Sequence, residues 1–122
     1  MKFKDTRGKS NFDVFPWMEK GQVNFSILYP GTVKAFHRHQ KQEDWILCVF
    51  GNIWVQLVSE DGNEEVFLEQ GDSYRIPVNT WHGFKAINGE AGMVYLCTER
   101  FDPTDEERTE WDAFSDWKVV NK

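Results

Sequence analysis

Gly31-Thr32-Val33-Lys34-Ala35-Phe36-His37-Arg38-His39-Gln40-Lys41-Gln42-Glu43 is followed, after seven further residues, by Gly51. A second string runs from Gly71 through Pro77-Val78-Asn79 to His82, and together the two strings hold all three histidines of the chain. Side chains alternate between the faces of a β-strand, so His37 and His39 point the same way. Glu43 has the same parity and shares that face if the strand continues, or returns, through Gln40-Lys41-Gln42. His82 comes from another strand. The spacing predicts a polar site of His37, His39, Glu43 and His82. Three imidazoles and a carboxylate suit one divalent ion, and zinc, iron, manganese, nickel or copper would all be accepted.

Outward from these strings the chain reads as short strands broken by turn residues. Strands are expected over Gln22–Tyr29, Thr32–His39, Asp44–Phe50, Ile53–Ser59, Glu64–Leu68, Ser73–Ile76, Gly83–Ile87 and Met93–Glu99. Glu60-Asp61-Gly62-Asn63 is a strong hairpin turn. The pattern is all-β and favours a sandwich or barrel. Residues 1–20 read as an irregular, polar N-terminal arm. Asp102-Pro103, with Asp105, Glu106 and Glu107 behind it, reads as a helix start. Asp102 would cap, Pro103 would take the first position, and the acids would meet the positive end of the dipole. A short helix near Pro103–Phe114, within a 102–122 helix and tail, is the expectation.

The length of 122 residues fits one domain over 1–122. The formal charge of -6, with no dense run of Lys and Arg, argues against nucleic acid. No apolar run reaches spanning length and no charged-then-apolar leader opens the chain, which predicts a cytoplasmic protein without a membrane partner. Cys48 and Cys97 sit in apolar runs without metal spacing and are expected as buried thiols. Aromatic residues make up 16% of the chain, and core filling accounts for most of them. Phe36, Trp45, Trp81 and Phe84 fall beside the proposed site and would give a barrel an aromatic mouth suited to a partly apolar ligand.

The two glycine-bounded strings resemble the two-part signature of the cupin superfamily. That resemblance implies a jelly-roll barrel, or double-stranded β-helix, with a metal at its mouth. A closer resemblance touches the whole chain. Asp5-Thr6-Arg7-Gly8, the run Pro30 to His37 with Gln42, Ile76-Pro77 with His82-Gly83-Phe84, and Tyr95 to Pro103 with Glu107 and Trp111-Asp112 are similar to the sugar-nucleotide 3,5-epimerases of rhamnose-type deoxysugar synthesis. The resemblance implies a dTDP-linked 4-keto-6-deoxyhexose as substrate and His37 as catalytic base, with His82 or Glu43 as a second polar group at the site. Arg7, Lys34 and Gln42 fall on substrate-binding or site-lining positions, and Trp45 and Phe84 would add apolar contact. It also implies a homodimer. Lys34 replaces a family Arg, keeping charge but losing the bidentate fork. No residue here matches the Asp that orients the family's base, and the place of a family Tyr falls near Arg100-Phe101.

Three functions follow from these residues. The leading one is an epimerase or ketoisomerase of a nucleotide-linked keto-sugar, since a ketone makes the neighbouring C–H acidic enough for an imidazole. The second is a metal-dependent cupin of other chemistry, an oxygenase or hydrolase. The third is a non-catalytic sugar-binding module.

Overall fold

The computed structural model describes residues 1–108. Nine strands build it: β1 (Lys2–Asp5), β2 (Gly8–Asn11), β3 (Gln22–Leu28), β4 (Val33–His39), β5 (Asp44–Ser59), β6 (Gly62–Leu68), β7 (Ser73–Ile76), β8 (Trp81–Cys97) and β9 (Glu106–Arg108). The expected all-β jelly-roll architecture is present. Two strands are far longer than the sequence suggests, because Asp44–Phe50 joins Ile53–Ser59 and Gly83–Ile87 joins Met93–Glu99. The joins are irregular rather than broken. Register between β5 and β8 shifts around Phe50, where Gly51 takes a φ of 78°. Glycine carries this conformation at little cost, and the bulge bends the strand without ending it.

The long pair β5 and β8 runs antiparallel from Asp44↔Cys97 to Val58↔Trp81 and forms the spine of a curled sheet. On one half of the spine β3 and β7 flank it, with the β1–β2 hairpin beyond β3. On the other half β4 and β6 flank it, with β9 on the free edge of β4. Leu28, Ile46, Ile53, Val55, Ile76 and Met93 meet between the halves, each at most 1% exposed. Burying such a side chain stabilises the fold by roughly 1.5–3 kcal/mol. Residues 2–11, expected as part of an irregular arm, instead form the β1–β2 hairpin and extend the sheet.

The outward face of the β3 half is also apolar. Trp45 is paired with Leu96 and Leu47 with Val94, and these rows continue to Val23 and Phe25 of β3. Trp45, Leu47 and Leu96 are exposed.

The C-terminal segment departs from the expected helix. Asp102 does cap, its Oδ1 accepting from the Thr104 amide at 2.9 Å, but only one 3-10 turn follows, over Pro103–Asp105. The chain then becomes β9 and pairs with β4 through His37↔Arg108 and His39↔Glu106. Asp105 is buried, and its carboxylate accepts from the Gln40 and Lys41 amides at 2.9 and 3.1 Å. Pairing with an open sheet edge thus outweighs the local helix signal. The remainder of the expected helix lies outside the described residues.

Candidate metal and active site

β4 and β8 place the histidines. His37 and His82 are register partners on adjacent strands, and His39 is two residues along β4. Their rings converge, with centroids 4.3 Å apart for His37–His82, 5.4 Å for His37–His39 and 6.0 Å for His39–His82. The carboxylate that joins them is Asp44. One ligand atom from each of His37, His39, Asp44 and His82 lies within 4.8 Å of all the others. Asp44 Oδ2 is 3.4 Å from His82 Nε2 and 3.8 Å from His39 Nε2.

Glu43 is therefore corrected as a member of the set. Its carboxylate pairs with Arg75, away from the histidines. The parity argument fails because Gln40 to Glu43 form a turn, not strand, and alternation restarts at Asp44, the first residue of β5. There Asp44 faces inward and Trp45 faces out.

Hydrogen bonds set the electrostatics. The His82 Nδ1 lies 2.9 Å from the Thr80 carbonyl oxygen. A carbonyl only accepts, so Nδ1 carries a proton, and Nε2 is the ring nitrogen turned to Asp44. That Nε2 is buried without a hydrogen-bond partner. A ring nitrogen and a carboxylate oxygen facing each other at 3.4 Å are held together by a cation between them, a proton or a metal ion. Ligand bonds near 2.0–2.2 Å put ligand atoms roughly 3–4.4 Å apart, so the four residues fit a divalent ion. Burial alone would raise the Asp44 carboxyl, but His82, Gln42 and His39 overcome it and hold the group at about 2. Gln42 Nε2 donates to Asp44 Oδ1, which makes Gln42 a support of the carboxylate. Burial, then the nearby His82 and His39, push the His37 imidazole well below its usual value, while Asp44 acts in the opposite sense. His37 is the most accessible of the three histidines; His39, Asp44 and His82 are buried.

The other expected site residues divide. Lys34 turns inward, its Nζ donating to Ser10 Oγ at 3.2 Å, and burial lowers its ammonium, helped by Arg7. Arg7 sits in the β1–β2 turn, where its guanidinium pairs with Asp5 at 2.6 Å and its carbonyl accepts from Thr32 Oγ1 at 2.8 Å. Phe84 is buried beneath the histidines, its ring 5.8 Å from that of His82. Trp45 lies on the outer face and does not line the site. Phe36 and Trp81 pack with Val33, Trp54 and Val58 in a separate cluster, so the expected aromatic mouth reduces to Phe84. Arg100, at the place of the family's Tyr, is held by Asp13 through two hydrogen bonds of 2.7 and 2.6 Å. Cys48 and Cys97 are free and buried, and burial raises both thiols.

A curled β-sheet with three imidazoles and a carboxylate on its inner face is the arrangement of a cupin. Residues 24–99 match the cupin domain family, and the chain belongs to it. Among its relatives is the protein named "probable low-salt glycan biosynthesis epimerase Agl13" of Haloferax volcanii, 35% identical over 78% of this chain and 71% of the relative. The spore coat polysaccharide biosynthesis protein SpsL of Bacillus subtilis is 34% identical over 75% of this chain and 69% of its own length. A dTDP-4-dehydrorhamnose 3,5-epimerase of Mycobacterium tuberculosis is 27% identical over 82% of this chain, which spans 57% of that enzyme.

Solved structures agree in fold. The capsular polysaccharide assembling protein CapF of Staphylococcus aureus superposes with a TM-score of 0.80 at 22% identity, over 91% of this chain and 34% of that one. A single-residue variant of the oxalate decarboxylase of Bacillus subtilis gives 0.80 at 19% identity, over 89% of this chain and 30% of that one. The chain thus spans about a third of the solved chains it matches. Among the described residues no helix is long and apolar enough to cross a membrane.

Proposed function

We propose that this cupin is an isomerase of nucleotide-linked keto-sugars, a 3,5-epimerase or ketoisomerase acting on a dTDP-linked 4-keto-6-deoxyhexose. The observation that carries the reading is His37: a neutral, half-buried imidazole, the most exposed of the three histidines on the inner face of the sheet. The names of the relatives support the substrate class. The His37 lone pair takes a proton from the carbon beside the ketone. The resulting imidazolium is favoured by the Asp44 carboxylate, which acts on His37 in that sense already. Lys34 and Arg7 bring positive charge to one end of the site, where an anionic diphosphate would be received. His39, Asp44 and His82, the three buried members, would hold a divalent ion. Such an ion would supply Lewis-acid polarisation of a ketone oxygen.

A second reading is favoured by the 4.8 Å convergence of all four ligand atoms. Here His37 completes the metal set, no free base remains, and the chain is a metal-dependent cupin of other chemistry. Deuterium wash-in from heavy water into a dTDP-4-keto-6-deoxyhexose, read by NMR on wild type and His37→Ala, separates the two. The expected result is exchange by wild type and a loss of about 10²- to 10⁴-fold in the variant, with metal affinity unchanged. Metal affinity lost together with turnover makes His37 a ligand. Binding without exchange in the wild type leaves a sugar-binding module. Neither binding nor exchange across a set of such sugars ends the reading.

The outer apolar face carries the proposal of a homodimer. Exposed Trp45, Leu47 and Leu96 form a contiguous patch on a chain that is otherwise acidic, and such patches on soluble proteins mark contact surfaces. A second copy related by a two-fold axis would cover it. Sedimentation equilibrium is expected to give a dimer for wild type and a monomer for Leu47→Asp; a wild-type monomer at micromolar concentration would refute this.

A further inference from the structure

The two buried histidines of the site are not equally served. Nε2 of His39 and Nε2 of His82 both turn to Asp44 Oδ2, at 3.8 and 3.4 Å. A ring that offers Nε2 to an ion keeps its proton on Nδ1, and a metal-ligating imidazole donates that proton to a carbonyl, a carboxylate or water. His82 has its acceptor in the Thr80 carbonyl oxygen, 2.9 Å away. His39 lacks one. Its Nδ1 is buried without a hydrogen-bond partner, in a residue only 7% exposed. An orphaned polar atom of this kind is unfavourable, and an acceptor within reach relieves it.

Strand β9 brings such an acceptor. Pairing with β4 sets Glu106 opposite His39 and Arg108 opposite His37. Directly opposed residues of an antiparallel pair share a face, with Cβ atoms about 4.5–5.5 Å apart. Glu106 and Arg108 therefore stand on the face of the histidines, while Glu107 between them turns outward to Arg38. The Glu106 side chain is 16% exposed, and its Oε2 accepts from Arg108 Nε and Nη2 at 3.2 and 3.0 Å. The ion pairs of β9 differ in what they hold. Arg38–Glu107 crosses from β4 to β9 and fastens the strand. Glu106–Arg108 joins two residues of one strand and fastens nothing. The Arg108 side chain is 75% exposed, and pairs in such solvent contact contribute little to stability. Little opposes a change of partner by the Glu106 carboxylate.

We propose that Glu106 is a positioning residue of the metal site: with a divalent ion held through His39 Nε2, its carboxylate leaves Arg108 and accepts from His39 Nδ1. This rests on the metal set described above, which both readings of the function share. The carboxylate fixes the tautomer and the orientation of the His39 ring, and it raises the basicity of Nε2 toward the ion. Glu106 then does for His39 what the Thr80 carbonyl does for His82. Only hydrogen bonds change, and no covalent bond is made or broken.

The test uses the full chain, stripped with chelator and titrated with Zn²⁺. Calorimetry is expected to show Glu106→Ala binding Zn²⁺ about 10- to 100-fold more weakly than wild type. Glu106→Gln loses the charge but keeps an acceptor oxygen, and is expected to recover most of that loss. Proton NMR of the zinc-loaded protein with isotope-labelled histidine reads the contact itself. In wild type the ring N–H protons of His39 and His82 are both expected to be protected from exchange with water. In Glu106→Ala the His39 proton is expected to lose protection while the His82 proton, held by Thr80, keeps it. A purely structural role would disturb both protons together. That result, equal losses of affinity in the Ala and Gln variants, or an unchanged His39 proton in Glu106→Ala overturns the assignment and leaves the metal set intact. If Glu106→Ala does not fold, the wild-type spectrum still decides: a zinc-loaded protein without a protected His39 ring proton overturns the assignment. A wild-type protein that binds no Zn²⁺ overturns the metal set as well.

Discussion

Asp44→Ala is expected to weaken the binding of Mn²⁺ or Zn²⁺ by at least about 100-fold, since loss of even a supporting group near a metal commonly costs 10- to 100-fold. Glu43→Ala is expected to leave affinity within about twofold. The two residues are neighbours in sequence and carry the same charge, so net electrostatics cannot explain a difference between them. Geometry can. Asp44 Oδ2 lies 3.4 and 3.8 Å from two imidazole nitrogens, whereas the Glu43 carboxylate is engaged with Arg75. Titration calorimetry on chelator-stripped protein, with metal content checked after dialysis, measures both. Equal losses, or the larger loss at Glu43, would refute the assignment. Proton competition adds a further sign: metal binding needs free ligand lone pairs, so affinity falls on acidification.

Gly51→Val is expected to damage the fold strongly. A Cβ built at Gly51 would lie 2.4 Å from the Glu90 carbonyl oxygen and 2.8 Å from Ala91 Cα, at a φ of +78° that β-branched residues avoid. Overpacking against backbone and the strained conformation together cost on the order of 3 kcal/mol. For a domain of this size that lowers Tm by roughly 10 °C. Gly31→Ala is the control, because its φ of +74° is similar but nothing lies within 4 Å of the added Cβ. It carries the conformational cost alone, on the order of 1 kcal/mol. Similar drops in calorimetry for the two variants would show that the close approach at the bend does not matter.

The all-β class and most strand positions are legible from period-two alternation and turn residues. The histidine cluster is legible too, because His37 and His39 share a strand and parity holds within a strand. Parity does not survive a turn, and for that reason it points to Glu43 where the structure uses Asp44. The lengths of β5 and β8 are hidden because Gly51 and the Asn88-Gly89 pair look like chain reversals, while here they are bends within continuing strands. The helix signal at Asp102-Pro103 is locally correct as a cap, but nothing local encodes the open edge of β4 that captures the next residues.

β3 holds a further signal. Gln22, Asn24 and Ser26 alternate with Val23, Phe25 and Ile27, which taken alone suggests that the apolar set faces inward. The structure buries the polar set. An inner face built of amides and hydroxyls is a poor core and a good wall for a polar ligand, so inverted alternation in one strand of an all-β chain is itself a pointer to a site.

The spine holds part of the site on its most protected piece of backbone. His82 belongs to β8, which is bonded along one edge to β5 and along the other to β3 and β4. Amides in such a strand exchange with solvent only when the whole sheet comes apart, whereas β9 and the β1–β2 hairpin hang on single edges and can open alone. The His82 imidazole is thus kept in place by global unfolding free energy, and breathing is left to the rim. A ligand large enough to need room would enter by displacing β9 or the hairpin, and the β8 wall of the site would keep its shape as it does so.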